Sequence, residues 1–159
     1  MNEAAIVDAV PDYVYTTYIR ATPEQVWEAL TDPELTARYW GHAQVSDWTV
    51  GARVEHVRTD GSGTADAAGT VVEADPPRRL AFGFGEPGTA DDPVEAQSIV
   101  SFDMEPGLGI VKLTLTQRNI RTAADRDAIG EGWPTVLANL KTFLETGDVL
   151  PSPPWEFGA

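Results

Sequence analysis

A continuous apolar stripe of helical period runs through residues 123–146 of the chain. Its large side chains recur at steps of three and four: Ile129, Trp133, Val136, Leu137, Leu140, Phe143 and Leu144. This spacing predicts one long helix whose apolar face must be buried against another element. Pro134 interrupts the pattern and predicts a kink or restart near residues 130–134, with the well-formed part running from Trp133 to Glu145.

The segment between residues 44 and 119 has the pattern of β-structure. Alternating apolar and polar residues, separated by turn signals, predict strands at 53–58, 64–74, 79–84, 95–105 and 108–119, and an earlier run rich in aromatic and β-branched residues predicts one at 13–20. Six or seven strands joined by short turns predict a meandering antiparallel sheet. Residues 83–88 match G-x-G-x-x-G, but acidic residues and prolines follow them, so we interpret residues 85–93 as a loop.

Two short helices are predicted between the first strand and the rest of the sheet. Thr22 has Pro next to it and Gln25 three residues later, which is a capping-box pattern for a helix ending near Thr31. Asp32 and the following proline start a second helix that ends near Tyr39, and Gly41 can terminate it.

The order of these elements predicts an α+β fold. A sheet buried on one face needs a cover, and the C-terminal helix is the element large enough to provide it. The sheet must therefore curve around that helix. Where a curved sheet and a helix meet imperfectly, a cavity can open between them.

Three stretches resemble the heat-shock-protein-90 ATPase activator homologues, within the START-like, birch-pollen-allergen-like (SRPBCC) superfamily: ATPEQVWEALTDPELTARYW, GTVVEADPPRRLAFGF and GWPTVLANLKTFLETG. The resemblance covers about residues 13–147. It implies a helix-grip fold, in which a curved seven-stranded antiparallel sheet wraps a long C-terminal helix and two short helices plug one end. It also implies a cavity that binds hydrophobic small molecules. The GWP stretch resembles bacterial members found with natural-product pathways for lipid-like or polyketide-like metabolites.

This resemblance divides the chain into three parts. Residues 1–12 are expected to be a flexible leader, 13–147 a single START-like helix-grip domain, and 148–159 a Pro-rich tail. Trp155 and Phe157 in the tail, together with an exposed sheet edge, leave a homodimer open.

Charge and composition exclude several classes of partner. Eleven basic residues face 25 acidic ones, for a formal charge of −14, which argues against nucleic acid and anionic membranes. The chain has no cysteine and no apolar run near the roughly 20 residues needed to span a bilayer. It has two histidines and no metal-binding motif, so we expect neither metal nor cofactor. With no signal-peptide pattern, a cytoplasmic location is the default.

The aromatic residues are the main clue to a binding site, because small-molecule pockets are lined by apolar and aromatic side chains. We expect a subset of the interior residues of the helix and strands to line the cavity. The candidates for ligand binding are Trp133, Leu137, Leu140, Phe82, Phe84, Phe102, Tyr39, Trp40 and Trp48.

Three functions are compatible with this pattern. The first is binding of a hydrophobic or aromatic small molecule between the long helix and the sheet. The second is a cyclase- or hydrolase-type enzyme that uses His56, Asp103 or Glu55 as acid and base in the same cavity. The third is a co-chaperone that stimulates a heat-shock-protein ATPase in a stress response, and this chaperone partner is supported by the resemblance alone.

Overall fold

The computed structural model describes residues 9–157, and seven strands within them form one antiparallel sheet. The strands are β1 (Tyr13–Ile19), β2 (His42–Val45), β3 (Arg53–Arg58), β4 (Ala65–Asp75), β5 (Arg79–Gly83), β6 (Ile99–Pro106) and β7 (Val111–Arg118). Strands β2 to β7 follow one another in space as in the chain, and β1 pairs with the free side of β7. The predicted meandering antiparallel sheet is confirmed.

Some strand boundaries differ from those predicted. β6 begins at Ile99, because residues 94–96 form a 3-10 turn, and β7 begins at Val111. The four residues of β2 were not recognised as a separate strand, since so short a run gives little alternation to detect. The predicted loop after Phe84 contains a second 3-10 turn, Pro87–Asp91.

The two short helices are α1 (Pro23–Thr31) and α2 (Pro33–Trp40), and their predicted caps are present. The Thr22 hydroxyl accepts a hydrogen bond from the Gln25 backbone N–H, and the Gln25 side chain accepts one from the Thr22 N–H. Gly41 ends α2 with a φ of +75°, a conformation that favours glycine. These local signals place Trp40 as the last residue of α2, where its side chain is buried.

The long helix α3 (Ala123–Thr146) is unbroken, so the restart predicted near Pro134 is wrong. Proline removes its own N–H from the hydrogen-bonded ladder and crowds the carbonyl of Gly130, and both costs are local. The buried face of α3 continues on both sides of Pro134, from Trp133 to Phe143. Packing of that face holds the helix together across the missing bond.

The inner face of the curled sheet wraps α3, which confirms the predicted helix-grip fold. The core between them consists of buried residues from the strands and all three helices: Ile19, Val26, Tyr39, Leu80, Phe82, Phe102, Leu113, Leu115, Leu137 and Leu140. In residues 9–157, no helix is both long and apolar enough to cross a bilayer.

The tail after α3 folds back onto the domain. The Leu150 N–H donates to Asn139 Oδ1 (2.8 Å), and the ring of Trp155 lies against Gly41. Phe157 is 95% exposed. Most of the predicted leader, residues 1–8, lies outside the described residues.

Candidate functional site

An open pocket of about 790 Å³ lies between the first half of α3, the segment 84–98 and the end of β7. Small-molecule sites typically have volumes of about 300–1,000 Å³, so the pocket has the size of a ligand site. It lies at one end of the helix–sheet interface, and Gln117 of β7 is the strand residue that lines it.

One face of α3 forms a wall of this pocket. The residues on that face recur with the helical period, at i, i+3, i+4, i+7, i+8 and i+11: Asp125, Ala128, Ile129, Gly132, Trp133 and Val136. A Cβ atom built on Gly132 would meet no atom within 4 Å. The pocket therefore opens where α3 carries small residues on its inner face.

Three aromatic rings form what we call the aromatic floor: Trp40, Phe84 and Trp133. The ring centroids lie 5.3 Å apart for Trp40 and Trp133, 5.5 Å for Phe84 and Trp133, and 5.9 Å for Trp40 and Phe84. Both tryptophans are buried. These separations are those of favourable aromatic pairs, which hold the rings in place and present a rigid apolar surface.

A hydrogen-bond network that runs from the buried Trp133 to the surface supports the aromatic floor. The Trp133 indole N–H donates to Gln117 Oε1 (2.8 Å), and Gln117 Nε2 donates to Ser98 Oγ (3.0 Å). The Ser98 hydroxyl in turn donates to the Arg118 carbonyl (3.0 Å). Because these polar groups are paired with one another, a bound molecule would meet mainly apolar surface at the floor.

The segment 84–98 is anchored to the sheet by Gln97, which is buried. Gln97 Oε1 accepts from the Thr70 N–H (3.1 Å), and its Nε2 donates to the Thr70 hydroxyl and to the Asp92 carbonyl. Asn119 Nδ2 donates to the Gln97 carbonyl (2.9 Å). These bonds fix this wall of the pocket relative to β4 and β7.

Four charged residues surround the mouth of the pocket and form what we call the rim: Glu86, Asp92, Arg121 and Asp125. All four are exposed. Three carboxylates and one guanidinium give the rim a formal charge of −2. None of the ion pairs between residues 9 and 157 involves a rim residue.

Three of the nine candidate ligand-binding residues line the pocket: Trp40, Phe84 and Trp133. The other six belong to the packed core or its margin and do not line it: Tyr39, Trp48, Phe82, Phe102, Leu137 and Leu140. Trp48 is partly buried beside Phe82, and its indole N–H donates to the Thr31 carbonyl. Core and pocket residues share one apolar periodicity, so the sequence pattern did not separate them.

Sequence reasoning missed the polar parts of the pocket. Gln117 and Gln97 were not singled out, although both occupy buried positions. The sequence held one signal, for Gln117. This residue continues the alternation of Val111, Leu113 and Leu115, which places its polar side chain on the inner face of β7. The rim residues had no signal, since the chain carries 25 acidic residues.

Of the three candidate acid–base residues, His56 faces the interior. It is 6% exposed, and its Nδ1 lies 2.9 Å from Gln44 Oε1. Its ring packs against Trp40 (4.6 Å) and Phe84 (5.5 Å), behind the aromatic floor. Burial, and secondarily the ring of His42, lowers the pKa of His56 to about 3, so this imidazole is neutral near pH 7.

The other two candidates lie in ion pairs away from the pocket. Both carboxylate oxygens of Asp103 lie 2.7 Å from Arg79, and Glu55 accepts from Arg53 (3.3 Å). Neither lines the pocket. In residues 9–157, no three histidine, aspartate or glutamate side chains converge as metal ligands.

The chain matches known proteins at the level of a family and a fold. The family model described as "Activator of Hsp90 ATPase homolog 1-like protein" matches residues 20–145. No curated protein matches the chain.

Among solved structures, the Aha1 dimer from Colwellia psychrerythraea has a TM-score of 0.69 and 22% identity, over 87% of this chain and 98% of that one. ChR145 from Cytophaga hutchinsonii has a TM-score of 0.66 and 28% identity, over 87% and 96%. DynU16, a protein in the dynemicin biosynthetic locus, has a TM-score of 0.70 and 23% identity, over 90% of this chain and 49% of that one.

Proposed function

The chain belongs to the family of Activator of Hsp90 ATPase homolog 1-like proteins, and we propose that it binds a hydrophobic or aromatic small molecule in the pocket beside α3. The observation that carries this proposal is a pocket of about 790 Å³ built on three mutually packed aromatic rings. Removing apolar surface of the ligand from water would supply most of the binding free energy.

The polar groups around the aromatic floor favour binding over turnover. Gln117, Trp133 and Ser98 hydrogen-bond to one another. A general acid or base must reach the proton that it transfers, directly or through one water molecule. His56 lies behind Trp40 and Phe84, while Asp103 and Glu55 pair with arginines elsewhere. The cyclase or hydrolase alternative therefore has less support than binding.

The similarity to DynU16 agrees with a metabolite as ligand. DynU16 is a protein in a biosynthetic locus, and its fold resembles that of this chain. A lipid-like or polyketide-like molecule with fused or aromatic rings would match the flat surfaces that Trp40, Phe84 and Trp133 present.

The co-chaperone alternative rests on the family description. It predicts that the purified chain stimulates the ATPase of a heat-shock-protein-90 chaperone. A rate that stays at its basal value across a wide range of chain concentrations would contradict this alternative without affecting the binding proposal.

A homodimer is the assembly that the sequence left open. Val14 and Tyr18 are 57% and 53% exposed on β1, which is an edge strand of the sheet. The Aha1 neighbour from Colwellia psychrerythraea is a dimer. Sedimentation over a range of concentrations would distinguish a dimer from a monomer.

The binding proposal is tested by filling the pocket from Gly132. Gly132→Phe adds a ring where a Cβ meets no atom, and phenylalanine has a higher helix propensity than glycine. We expect this variant to fold and to lose at least about tenfold in affinity for a neutral hydrophobic dye such as Nile red, because the ring occupies part of the site. Gly132→Ala is the matched control and should retain binding.

Fluorescence titration measures the affinity, and thermal unfolding monitors the fold. Dye binding that is equal in the wild type and in folded Gly132→Phe would place the dye elsewhere and overturn the proposal. The absence of saturable binding by a panel of neutral aromatic probes would also contradict it.

A further inference from the structure

The rim and the aromatic floor of the pocket differ in polarity. The floor combines two buried tryptophans and a partly buried Phe84 with polar groups that are paired, whereas the rim is exposed and charged. A ligand that fits both regions has an apolar body for the floor and one polar end for the mouth. The sign of the rim charge therefore bears on which polar end is accepted.

We propose that the pocket selects ligands with a positively charged end, such as an aromatic amine-bearing metabolite, over ligands with a carboxylate. This inference rests on the proposed function and adds a ligand class to it. The binding site is the pocket, and the charge of the rim sets the relative affinity for cationic and anionic ligands.

The rim carboxylates come from opposite walls of the pocket. Glu86 and Asp92 belong to the segment 84–98, and Asp125 lies in the first turn of α3. A protonated amine in the mouth would thus have negative charge on both sides. A carboxylate at the same place would face like charges across the same opening.

Arg121 is the single basic residue of the rim. An anionic ligand would need to place its carboxylate next to Arg121 and still lie near three acidic side chains. Since the rim has a formal charge of −2, its summed field opposes that arrangement. A cleft with walls of low dielectric constant focuses such a field and concentrates counter-ions.

The rest of the molecule adds to the same field. The chain has a formal charge of −14, so anions are repelled at long range as well as at the rim. Salt screens this long-range part over a Debye length of about 10 Å at 0.1 M. A charge preference that originates at the rim should therefore persist in moderate salt and depend on the rim residues.

The test uses three naphthalene ligands that differ in charge: naphthylmethylamine as the cation, naphthylmethanol as the neutral form and naphthoate as the anion. Calorimetric titration near neutral pH, at about 0.02 M and about 0.5 M salt, measures their affinities. We expect the cation to bind about tenfold more tightly than the anion in low salt, with the neutral ligand between them.

Two triple variants separate the rim from the overall charge. Glu86→Gln/Asp92→Asn/Asp125→Asn removes the rim carboxylates, and Glu24→Gln/Glu28→Gln/Asp47→Asn removes three exposed carboxylates outside the pocket. We expect the first variant to lose the cation preference and the second to retain most of it. The second variant, whose substitutions lie outside the pocket, should bind naphthylmethanol as the wild type does.

The outcomes distinguish the two proposals. If naphthylmethanol binds and the anion binds as tightly as the cation, the charge inference is overturned and the binding proposal stands. Equal loss of preference in both triple variants would assign the effect to overall charge and overturn the role of the rim. Failure of all three ligands to bind would contradict the binding proposal and, with it, this inference.

Discussion

The two halves of α3 meet the sheet in different ways. In the second half, Leu137 and Leu140 are fully buried in the core, and Phe143 is nearly so. In the first half, the inner face carries Ala128 and Gly132, and a pocket of about 790 Å³ takes the place of packed side chains. A single helix thus closes the core at one end and leaves it hollow at the other.

In this chain the pocket coincides with the two small residues, Ala128 and Gly132, on that face of α3. Both halves keep the apolar periodicity that holds the helix on the sheet. Glycine in the middle of a helix costs about 1 kcal/mol relative to alanine. Gly132 is therefore unfavourable for the helix itself, and the open space beside it shows that packing does not require a glycine there.

The largest expected effect is on the free energy of unfolding, when a core leucine and a pocket isoleucine are each replaced by alanine. Leu140→Ala should lower the free energy of unfolding by about 3–5 kcal/mol, because Leu140 is fully buried and its loss leaves a cavity. Ile129→Ala should cost about 1 kcal/mol, since Ile129 is half-buried and already borders open space. Urea denaturation measures both values, and equal losses would contradict the contrast between the halves.

The second effect is the pH dependence of stability, because the titratable residue His56 lies behind the aromatic floor at the hollow end. Burial lowers the pKa of His56 from 6.5 to about 3, so the unfolded chain binds more protons between these values. Stability is therefore lost as pH falls from about 6.5 toward 3, by up to about 1.4 kcal/mol per pH unit.

The His56→Phe variant isolates this contribution from that of the many carboxylates. The difference in unfolding free energy between wild type and variant should change by about 2–3 kcal/mol between pH 7 and pH 4.5, in the direction that weakens the wild type in acid. A difference that is constant with pH would show that His56 titrates alike in the folded and unfolded chains.

The smallest expected difference is between two buried amides, one from each end of α3. Asn139 Nδ2 donates to the Tyr39 carbonyl (2.7 Å) and its Oδ1 accepts from Leu150, within the closed end. Asn139→Leu should cost about 2–3 kcal/mol, because both backbone groups lose their partner. Gln117→Leu should cost about 1 kcal/mol, since the indole N–H that it leaves unpaired borders a pocket open to water.

Thermal or urea unfolding of both amide variants gives the comparison. A larger loss for Gln117→Leu than for Asn139→Leu would indicate that the pocket excludes water, and the distinction between an open and a closed end would then need revision.

Much of the fold could be predicted because its signals are local. The capping box at Thr22 and Gln25, the terminator Gly41 and the alternation in β7 each depend on residues a few positions apart. The stripe on α3 is equally local, and the single missing donor at Pro134 proved too weak to divide it.

The pocket was harder to predict because tertiary contacts define it. Trp40, Phe84 and Trp133 were among the candidates as interior aromatics, but so were Phe82 and Phe102, which fill the core. The wall formed by segment 84–98 depends on bonds between residues 27 positions apart, from Gln97 to Thr70. No local pattern reveals such an anchor, and so Gln97, Gln117 and the rim were missed.

The central claim is that the pocket beside the first half of α3 binds an apolar small molecule. Nuclear Overhauser effects between the protein and bound naphthylmethanol test this claim most directly. We expect contacts from naphthyl protons to the side chains of Trp133, Phe84 and Ile129, and none to Leu140 or Phe143. Contacts confined to the outer surface, or to the closed end of α3, would contradict the account.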